Sequence, residues 1–392
     1  MNFKQTAVIA KRLFDGSALL DDPVVLIEDG RITSISNRAG SALPREANLL
    51  EFPNATLAPS FLDIHIHGAA GHDVMEASPE ALAAVGGFLA SRGTGGFLAT
   101  TVTAPLDATL RAVDGLAKIM MEPMVGGSAR ILGIHLEGPF LSHAKRGVQP
   151  AEHLLAPSIA TFDRLFEAGH GQVRLMTIAP ELPGAQELIA HATKRGVRIS
   201  LGHSDANAEE TQAAIRAGAV SATHTFNAMR PLDHREPGIL GVVLAEDALY
   251  SELICDGVHS KPEIARLWWR AKGPERAILV TDAMSATGMP DGQYELGGFP
   301  VQVAQGKAMR DGVLAGSLLT LDRALENFVS FSGAAVSAGL RLLTTNPAAL
   351  LGIGRGAGYL TTGGPADLVA ISAEGKLIAS LVNGVHVAHS IS

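Results

Sequence analysis

The stretch Phe61-Leu62-Asp63-Ile64-His65-Ile66-His67-Gly68 holds the first residues in the chain whose types and spacing suit catalysis. Alternate side chains of a β-strand share a face, so Asp63, His65 and His67 are expected on one side and Leu62, Ile64 and Ile66 on the other. Two imidazoles then converge, and Gly68 lets the chain turn directly after the second. The same alternation suits any strand with one wet face, so the reading depends on partners elsewhere. They occur in segments that read as strand ends: His135-Leu136-Glu137-Gly138-Pro139, Gly202-His203-Ser204, Thr223-His224 and Thr281-Asp282-Ala283. His65, His67, His203 and His224 with Glu137 and Asp282 form a nitrogen-and-oxygen donor set for one or two divalent ions. Zinc is the default, and iron, manganese or cobalt are also compatible.

Bringing these residues together requires a fold that gathers strand ends. From about Leu57 short apolar strands alternate with segments of helical length. Strands are expected to end near His67, Thr103, Leu136, Ile178, Leu201, His224, Ile254 and Val280, with helices over 79–92, 159–168, 185–195, 209–217 and 262–271 among the segments between them. Ser78 is an N-cap before Pro79, and Gly93 closes that helix. Eight βα units predict an α/β fold, a (β/α)8 TIM-like barrel over 57–356, whose active residues sit at the C-terminal ends of the strands. Both termini read as β: Ala7–Leu13, Val24–Glu28 and Arg31–Ile35 around Asp29-Gly30, then Leu368–Ile371, Leu377–Val382 and Val385–Val387 around Asn383-Gly384. Residues 1–56 and 357–392 are expected to form one small β-sandwich domain. Gln293–Gly316 reads as an inserted hairpin, followed by helices near 321–329 and 346–351. The glycine run 352–358 follows a helix instead of linking a strand to one, so it reads as a flexible exit from the barrel and not as a dinucleotide loop.

Composition narrows the function. The 392 residues are 47% hydrophobic and 18% charged, as in a well-packed globule. No apolar run reaches the roughly 18 residues of a membrane span, and the N-terminus has no signal-peptide pattern, so a cytoplasmic protein is expected. Cys255 is the single cysteine, which excludes internal disulfides and leaves histidine and carboxylate as metal ligands. A net charge of −8 disfavours nucleic acid while permitting a local basic pocket for one small anion.

Six motifs carry a resemblance to the N-acetylglucosamine-6-phosphate deacetylase family of the amidohydrolase superfamily: residues 63–68, His135-Leu136-Glu137-Gly138-Pro139-Phe140, Gly202-His203-Ser204, Thr223-His224-Thr225-Phe226-Asn227-Ala228-Met229, Asp256-Gly257-Val258-His259 and Leu314-Ala315-Gly316-Ser317. The resemblance covers essentially the whole chain. It implies metal-dependent removal of acetate from N-acetylglucosamine 6-phosphate, in amino-sugar catabolism and cell-wall recycling. Glu137 stands where many relatives place a carboxylated lysine between two metals. Because Glu137, His203 and His224 hold one ion alone in some relatives, His65 and His67 are expected to decide whether a second ion binds. Asp282 is the implied base, taking a proton from the attacking water and delivering it to the leaving amine. His259 is similar to the family's substrate-contacting histidine and would polarise the acetyl oxygen.

For the sugar phosphate, the resemblance points to Arg235 with Asn227 and Ala228, and to further contacts at Val148, Gln149, Leu314, Ala315 and Gly316. An Arg235–Glu236 surface pair is the competing account of Arg235. A homodimer is also implied, with the phosphate pocket built across the interface. Ser60 stands where relatives usually have glycine, and Gln149 is a variable choice in the family that opens the question of sugar selectivity. N-acetylgalactosamine 6-phosphate or another N-acyl substrate remains an alternative, since pocket shape decides a hydroxyl's orientation. So does an inactive barrel serving as an assembly module. A serine hydrolase is disfavoured, as no Gly-x-Ser-x-Gly occurs. His72, His153, His170, His191, His386 and His389 match no motif and are read as surface or loop residues.

Overall fold

The computed structural model describes residues 5–40, 44, 46–122 and 126–387, so His389 lies outside the described residues. Eight parallel strands pair in sequence order: β1 (Phe61–Ile66), β2 (Thr94–Thr101), β3 (Arg130–Glu137), β4 (Val173–Ile178), β5 (Arg198–Leu201), β6 (Ala219–Ala222), β7 (Tyr250–Ile254) and β8 (Ala277–Val280). The ring closes at its C-terminal mouth, where Ile66 and Ala283 form a parallel bridge. There the Asp282 N–H donates to the His65 carbonyl and the His67 N–H to the Ala283 carbonyl, each across 2.8 Å. Every residue of β1 and β2 is buried, as in a parallel sheet covered on both faces.

A helix follows each strand: α1 (Pro79–Ser91), α2 (Leu106–Met120), α3 (Ile159–Ala168), α4 (Ala185–Lys194), α5 (Ala208–Ala217), α6 (Gly238–Ala245), α7 (Pro262–Arg276) and α8 (Leu321–Ser332). The start of α1 is the one read from sequence, with Pro79 in the first turn and Ser78 Oγ accepting the Ala81 N–H across 3.2 Å. β2 and β6 stop at Thr101 and Ala222, two residues before the expected Thr103 and His224. His224 has φ 28°, a left-handed conformation that cannot continue a strand.

The segment after β8 is a four-stranded antiparallel meander, Gly292–Leu296, Phe299–Ala304, Lys307–Arg310 and Val313–Leu314, and not a single hairpin. Its alternating Phe299, Val301 and Val303 pack against Val102 and Met284, and its end delivers Leu314 to the barrel mouth. The later helices are Val336–Leu343 and Thr345–Leu351, and the glycine run ends the second of them at Gly352 before a short turn over Gly354–Gly356.

Strands from both termini join in one eight-stranded sheet. From one end it runs through Val385–Val387, Leu377–Val382, Leu368–Ile371, Asn48–Pro59, Gln5–Phe14, Pro23–Glu28 and Arg31–Asn37, with Leu19–Asp21 beside Gln5–Phe14. The sheet curls on itself: the Ala366 N–H donates to the Gly30 carbonyl across 2.8 Å and the Ile32 N–H to Gly364 across 2.9 Å. Val8, Leu13, Val25, Ile32, Leu57, Leu368 and Leu381 are enclosed between its two halves. Asn48–Pro59 leads through Ser60 into β1, and Arg130 at the start of β3 pairs with the buried Asp367 of this sheet. Among the described residues, no helix is long and apolar enough to cross a membrane.

Candidate metal centre and active site

Backbone geometry sets the site before any side chain is considered. His203, His224 and Asp282 follow the ends of β5, β6 and β8 with φ of 47°, 28° and 52°. Left-handed backbone is costly for residues with a Cβ and concentrates where surrounding structure enforces it, commonly at active sites. Here it turns three strand exits inward. Gly316 has φ 62°, and a Cβ placed on it would lie 3.0 Å from the Asp282 carbonyl, so the position beside Asp282 favours glycine.

Donor atoms of His65, His67 and Asp282 lie within 4.8 Å of one another, as do those of Glu137, His203 and His224. Glu137 joins the two groups. Its Oε1 is 3.2 Å from the Nε2 atoms of His203 and His224 and 3.3 Å from that of His65, while its Oε2 is 3.4 Å from His67 Nε2. Asp282 Oδ1 is 3.1 Å from His67 Nε2 and 3.7 Å from His65 Nε2. The far side of two rings fixes their tautomers: His67 Nδ1 lies 3.0 Å from the Thr100 carbonyl and His203 Nδ1 2.9 Å from that of Lys145. A carbonyl only accepts, so each Nδ1 carries a proton, and in the neutral ring each Nε2 presents its lone pair to the centre.

This donor set fits divalent metal. His203 Nε2 and His224 Nε2 face each other across 3.1 Å, a separation that suits two nitrogens holding one cation between them. The buried Nε2 of His65 has no hydrogen-bond partner. Burial lowers the pKa of His67, but the hydrogen bonds that the Asp282 and Glu137 carboxylates accept from the protonated ring outweigh it and lift the group to about 9. Burial raises Glu137, yet the surrounding imidazoles, His65 foremost, bring it well below the usual carboxylate range. The carboxylates thus draw positive charge to this point.

Asp63 is not among these ligands. Its Oδ2 accepts the Thr281 hydroxyl across 2.6 Å in the barrel seam, and burial pushes its carboxyl up to about 7. His135 lies beneath the centre, edge-on to His65 with ring centroids 4.8 Å apart. Its Nε2 meets Thr177 Oγ1 at 2.8 Å in a chain of hydroxyls that runs on through Thr223 to Ser200. Burial, then the charge of His65, hold His135 well below the ordinary histidine value, so it is a neutral support.

A cavity of about 380 Å³ opens over the centre, with His67, Glu137, His203, His224 and Asp282 at its base. Val148, Gln149, Asn227, Ala228, His259, Leu314 and Gly316 line its walls. His259 Nδ1 is 2.7 Å from Asp256 Oδ2. Burial lowers the His259 pKa, but Asp256 more than offsets this and raises it above the ordinary value.

Two expected residues are not brought to the cavity. Ala315 is buried in the core with Val102 and Met284, because its N–H pairs with the Ala308 carbonyl across 3.0 Å and turns it away from the opening. Arg235 sits in the exposed loop 231–236. The competing pair with Glu236 does not form: among the described residues the Arg235 guanidinium has no ion-pair partner, and Glu236 accepts the Ala208 N–H instead, across 3.3 Å. Lys145 is the one lysine or arginine among the described residues that line the cavity.

Sequence reasoning missed Lys145, the bonding of Gln149 and the role of Glu252. Gln149 is buried, donates from Nε2 to Glu137 Oε2 across 2.7 Å, and accepts the Thr103 N–H across 2.8 Å. Glu252 is fully buried on β7, with Oε2 3.3 Å from His65 Nδ1. One signal was present, since a carboxylate inside the apolar run Leu249-Tyr250-Ser251-Glu252-Leu253-Ile254 requires a partner. Of the unmatched histidines, His72, His170 and His191 pair with Glu76, Asp114 and Asp163 away from the centre.

A parallel barrel with two adjoining histidine–carboxylate triads at its C-terminal mouth defines the class of metal-dependent barrel hydrolases. The chain belongs to the Amidohydrolase family, which matches residues 56–387. The N-acetylglucosamine-6-phosphate deacetylase of Bacillus subtilis (strain 168) is 37% identical over 91% of each chain. The N-acetylgalactosamine-6-phosphate deacetylase of Escherichia coli O157:H7 is 38% identical, covering 92% of this chain and 94% of its own. The structure of a mutant N-acetyl-D-glucosamine-6-phosphate deacetylase from Mycobacterium smegmatis, in complex with N-acetyl-D-glucosamine-6-phosphate, superposes with a TM-score of 0.90 at 35% identity, covering 98% of this chain and 99% of that one.

Proposed function

We propose that this chain hydrolyses the N-acetyl group of N-acetylglucosamine 6-phosphate, giving glucosamine 6-phosphate and acetate. The observation that carries this reading is the placement of both triads, joined by Glu137 and with Asp282 exposed to the cavity, beneath a pocket large enough for a hexose phosphate. Relatives acting on phosphorylated amino sugars over nine-tenths of the chain support it.

His65, His67 and Asp282 would hold one ion and Glu137, His203 and His224 another; zinc suits these donors best, and iron, manganese or cobalt suit them too. A bound divalent ion supplies Lewis acidity, polarising the acetyl carbonyl and lowering the pKa of water toward about 7. Asp282 accepts one proton from the attacking water and returns it to the nitrogen as the C–N bond breaks, so the amine leaves neutral. His259, kept protonated by Asp256, donates a hydrogen bond to the oxygen on which negative charge develops. Val148, Gln149, Leu314 and Gly316 belong to the wall around the sugar in this reading, and Ala315, buried behind it, supports that wall.

Asn227, Ala228 and Lys145 face the phosphate from within the chain. Arg235, exposed and unpaired, joins them from a second copy in a homodimer, its planar fork meeting two phosphate oxygens. We take the protein to be cytoplasmic, and to divide into a barrel over 57–356 and a terminal β unit over 1–56 and 357–392. Acetate release from N-acetylglucosamine 6-phosphate, its galactosamine epimer and unphosphorylated N-acetylglucosamine, measured side by side, tests the reading. The glucosamine phosphate should give the highest kcat/KM. Preference for the epimer would transfer the assignment to the activity of the E. coli relative, and equal use of the unphosphorylated sugar would remove the phosphate site.

A further inference from the structure

Three of the four histidines at the centre have a partner on the ring nitrogen that faces away from it. For His67 and His203 that partner is a backbone carbonyl. For His65 alone it is a carboxylate, Glu252 Oε2, 3.3 Å from Nδ1. His65 and Glu252 are both fully buried, and no lysine or arginine pairs with Glu252 among the described residues. Its other contact is the backbone N–H of His224, 3.2 Å from the same oxygen, while Oε1 has no partner. A buried carboxylate left so poorly satisfied is expensive, which an apolar residue on β7 would avoid.

We infer that Glu252 is a positioning residue that sets metal affinity at the His65, His67 and Asp282 triad, and so decides whether a second ion binds. The inference rests on the reading that both triads hold ions. Glu252 accepts the Nδ1 proton of His65, which fixes the ring's tautomer and leaves the lone pair on the unpartnered Nε2, directed toward Glu137 and Asp282. A carboxylate in this position also makes the imidazole a stronger donor than a carbonyl does, and loss of such a partner costs about 10–100-fold in metal affinity. The second triad has no such dependence, because Glu252 touches His224 only through its backbone.

Purified wild-type and Glu252→Gln proteins, stripped by chelation and titrated with zinc alone, test this through bound ions per subunit. Unfolding midpoints of the two metal-free proteins check that both fold. Wild type should bind two ions. Glu252→Gln should bind one with unchanged affinity and the other about 10–100-fold more weakly. Identical titrations, or equal weakening of both ions, would overturn the inference while leaving the metal centre in place. A wild type that binds a single ion would overturn it as well, since no second affinity would exist to set. A wild type that binds none would overturn the metal-centre reading itself.

Discussion

The backbone N–H of Asp282 donates to the carbonyl of His65 across 2.8 Å, so one of the hydrogen bonds closing the barrel joins two residues of the candidate metal centre. The first triad therefore straddles the seam between β1 and β8. Any ion held by His65, His67 and Asp282 clamps that seam, which links metal binding directly to the stability of the fold.

Removing metal should accordingly lower the unfolding temperature. A ligand bound only by the folded state stabilises it by about 2.7 kcal/mol at a free concentration 100 times its Kd. Calorimetry before and after chelation, then after adding zinc back, should show a fall of several degrees and its recovery. An unchanged midpoint would mean that the triads hold no ion.

The Asp256–His259 pair predicts a pH effect. Burial lowers the His259 pKa, but Asp256 more than compensates and keeps it above its ordinary value. The protonated ring is then lost only as pH rises through that elevated pKa, producing an alkaline limb in kcat/KM. Asp256→Asn removes the raising charge, so the limb should move to lower pH. An unmoved limb would separate His259 from catalysis.

Gln149 is predicted to act through Glu137. Its amide links the Thr103 N–H to Glu137 Oε2, holding the carboxylate that both triads share. Gln149→Leu leaves the buried Thr103 N–H without a partner and takes the amide donor from Glu137 Oε2, whose remaining contact is His67 Nε2 at 3.4 Å. Loss of such an outer contact costs about 10–100-fold in activity or metal affinity. Kinetics with parallel metal analysis would show this; a change confined to KM, with ion affinity intact, would return Gln149 to a sugar contact.

Lys272 connects packing to pH. Its Nζ caps the C-terminal end of α6, donating to the Val243 carbonyl across 2.9 Å and to that of Glu246 across 2.6 Å. Lys272→Met removes both of these hydrogen bonds, leaving the Glu246 carbonyl only the Leu249 N–H at 3.3 Å, and should destabilise the fold by about 1–3 kcal/mol. Burial depresses the ammonium pKa from 10.5 to about 8. Between those values the unfolded chain binds the proton more tightly, so this group's contribution to stability increases as pH rises through the window. Denaturant titrations should show the gap between wild type and variant widening from pH 8 toward 10.5, and a narrowing gap would contradict the assignment.

The six candidate ligand positions were legible because metal chemistry restricts residue type and a barrel restricts place: His65, His67, Glu137, His203, His224 and Asp282 could meet only at strand ends. The ends themselves were less legible. The left-handed backbone at His203, His224 and Asp282 depends on surrounding contacts that no local propensity encodes. α6 shows why some helices escape detection. Its Gly-Ile-Leu-Gly-Val-Val-Leu-Ala has no polar face, and its Ile239, Leu240, Val242 and Val243 are all buried, so no 3.6-residue alternation marks it. Gln149 and Glu252 act on partners 12 and 187 positions away, distances over which spacing carries no information. Arg235 was named for its chemistry, whereas its exposed position is set by tertiary structure alone.

The central claim is that Asp282 performs proton transfer at a metal centre. It is tested most directly by acetate release from N-acetylglucosamine 6-phosphate with Asp282→Asn, after metal content and folding have been matched to wild type. The account predicts a fall in kcat of at least about 10²-fold, the usual contribution of a general acid–base. Turnover close to that of wild type would contradict it.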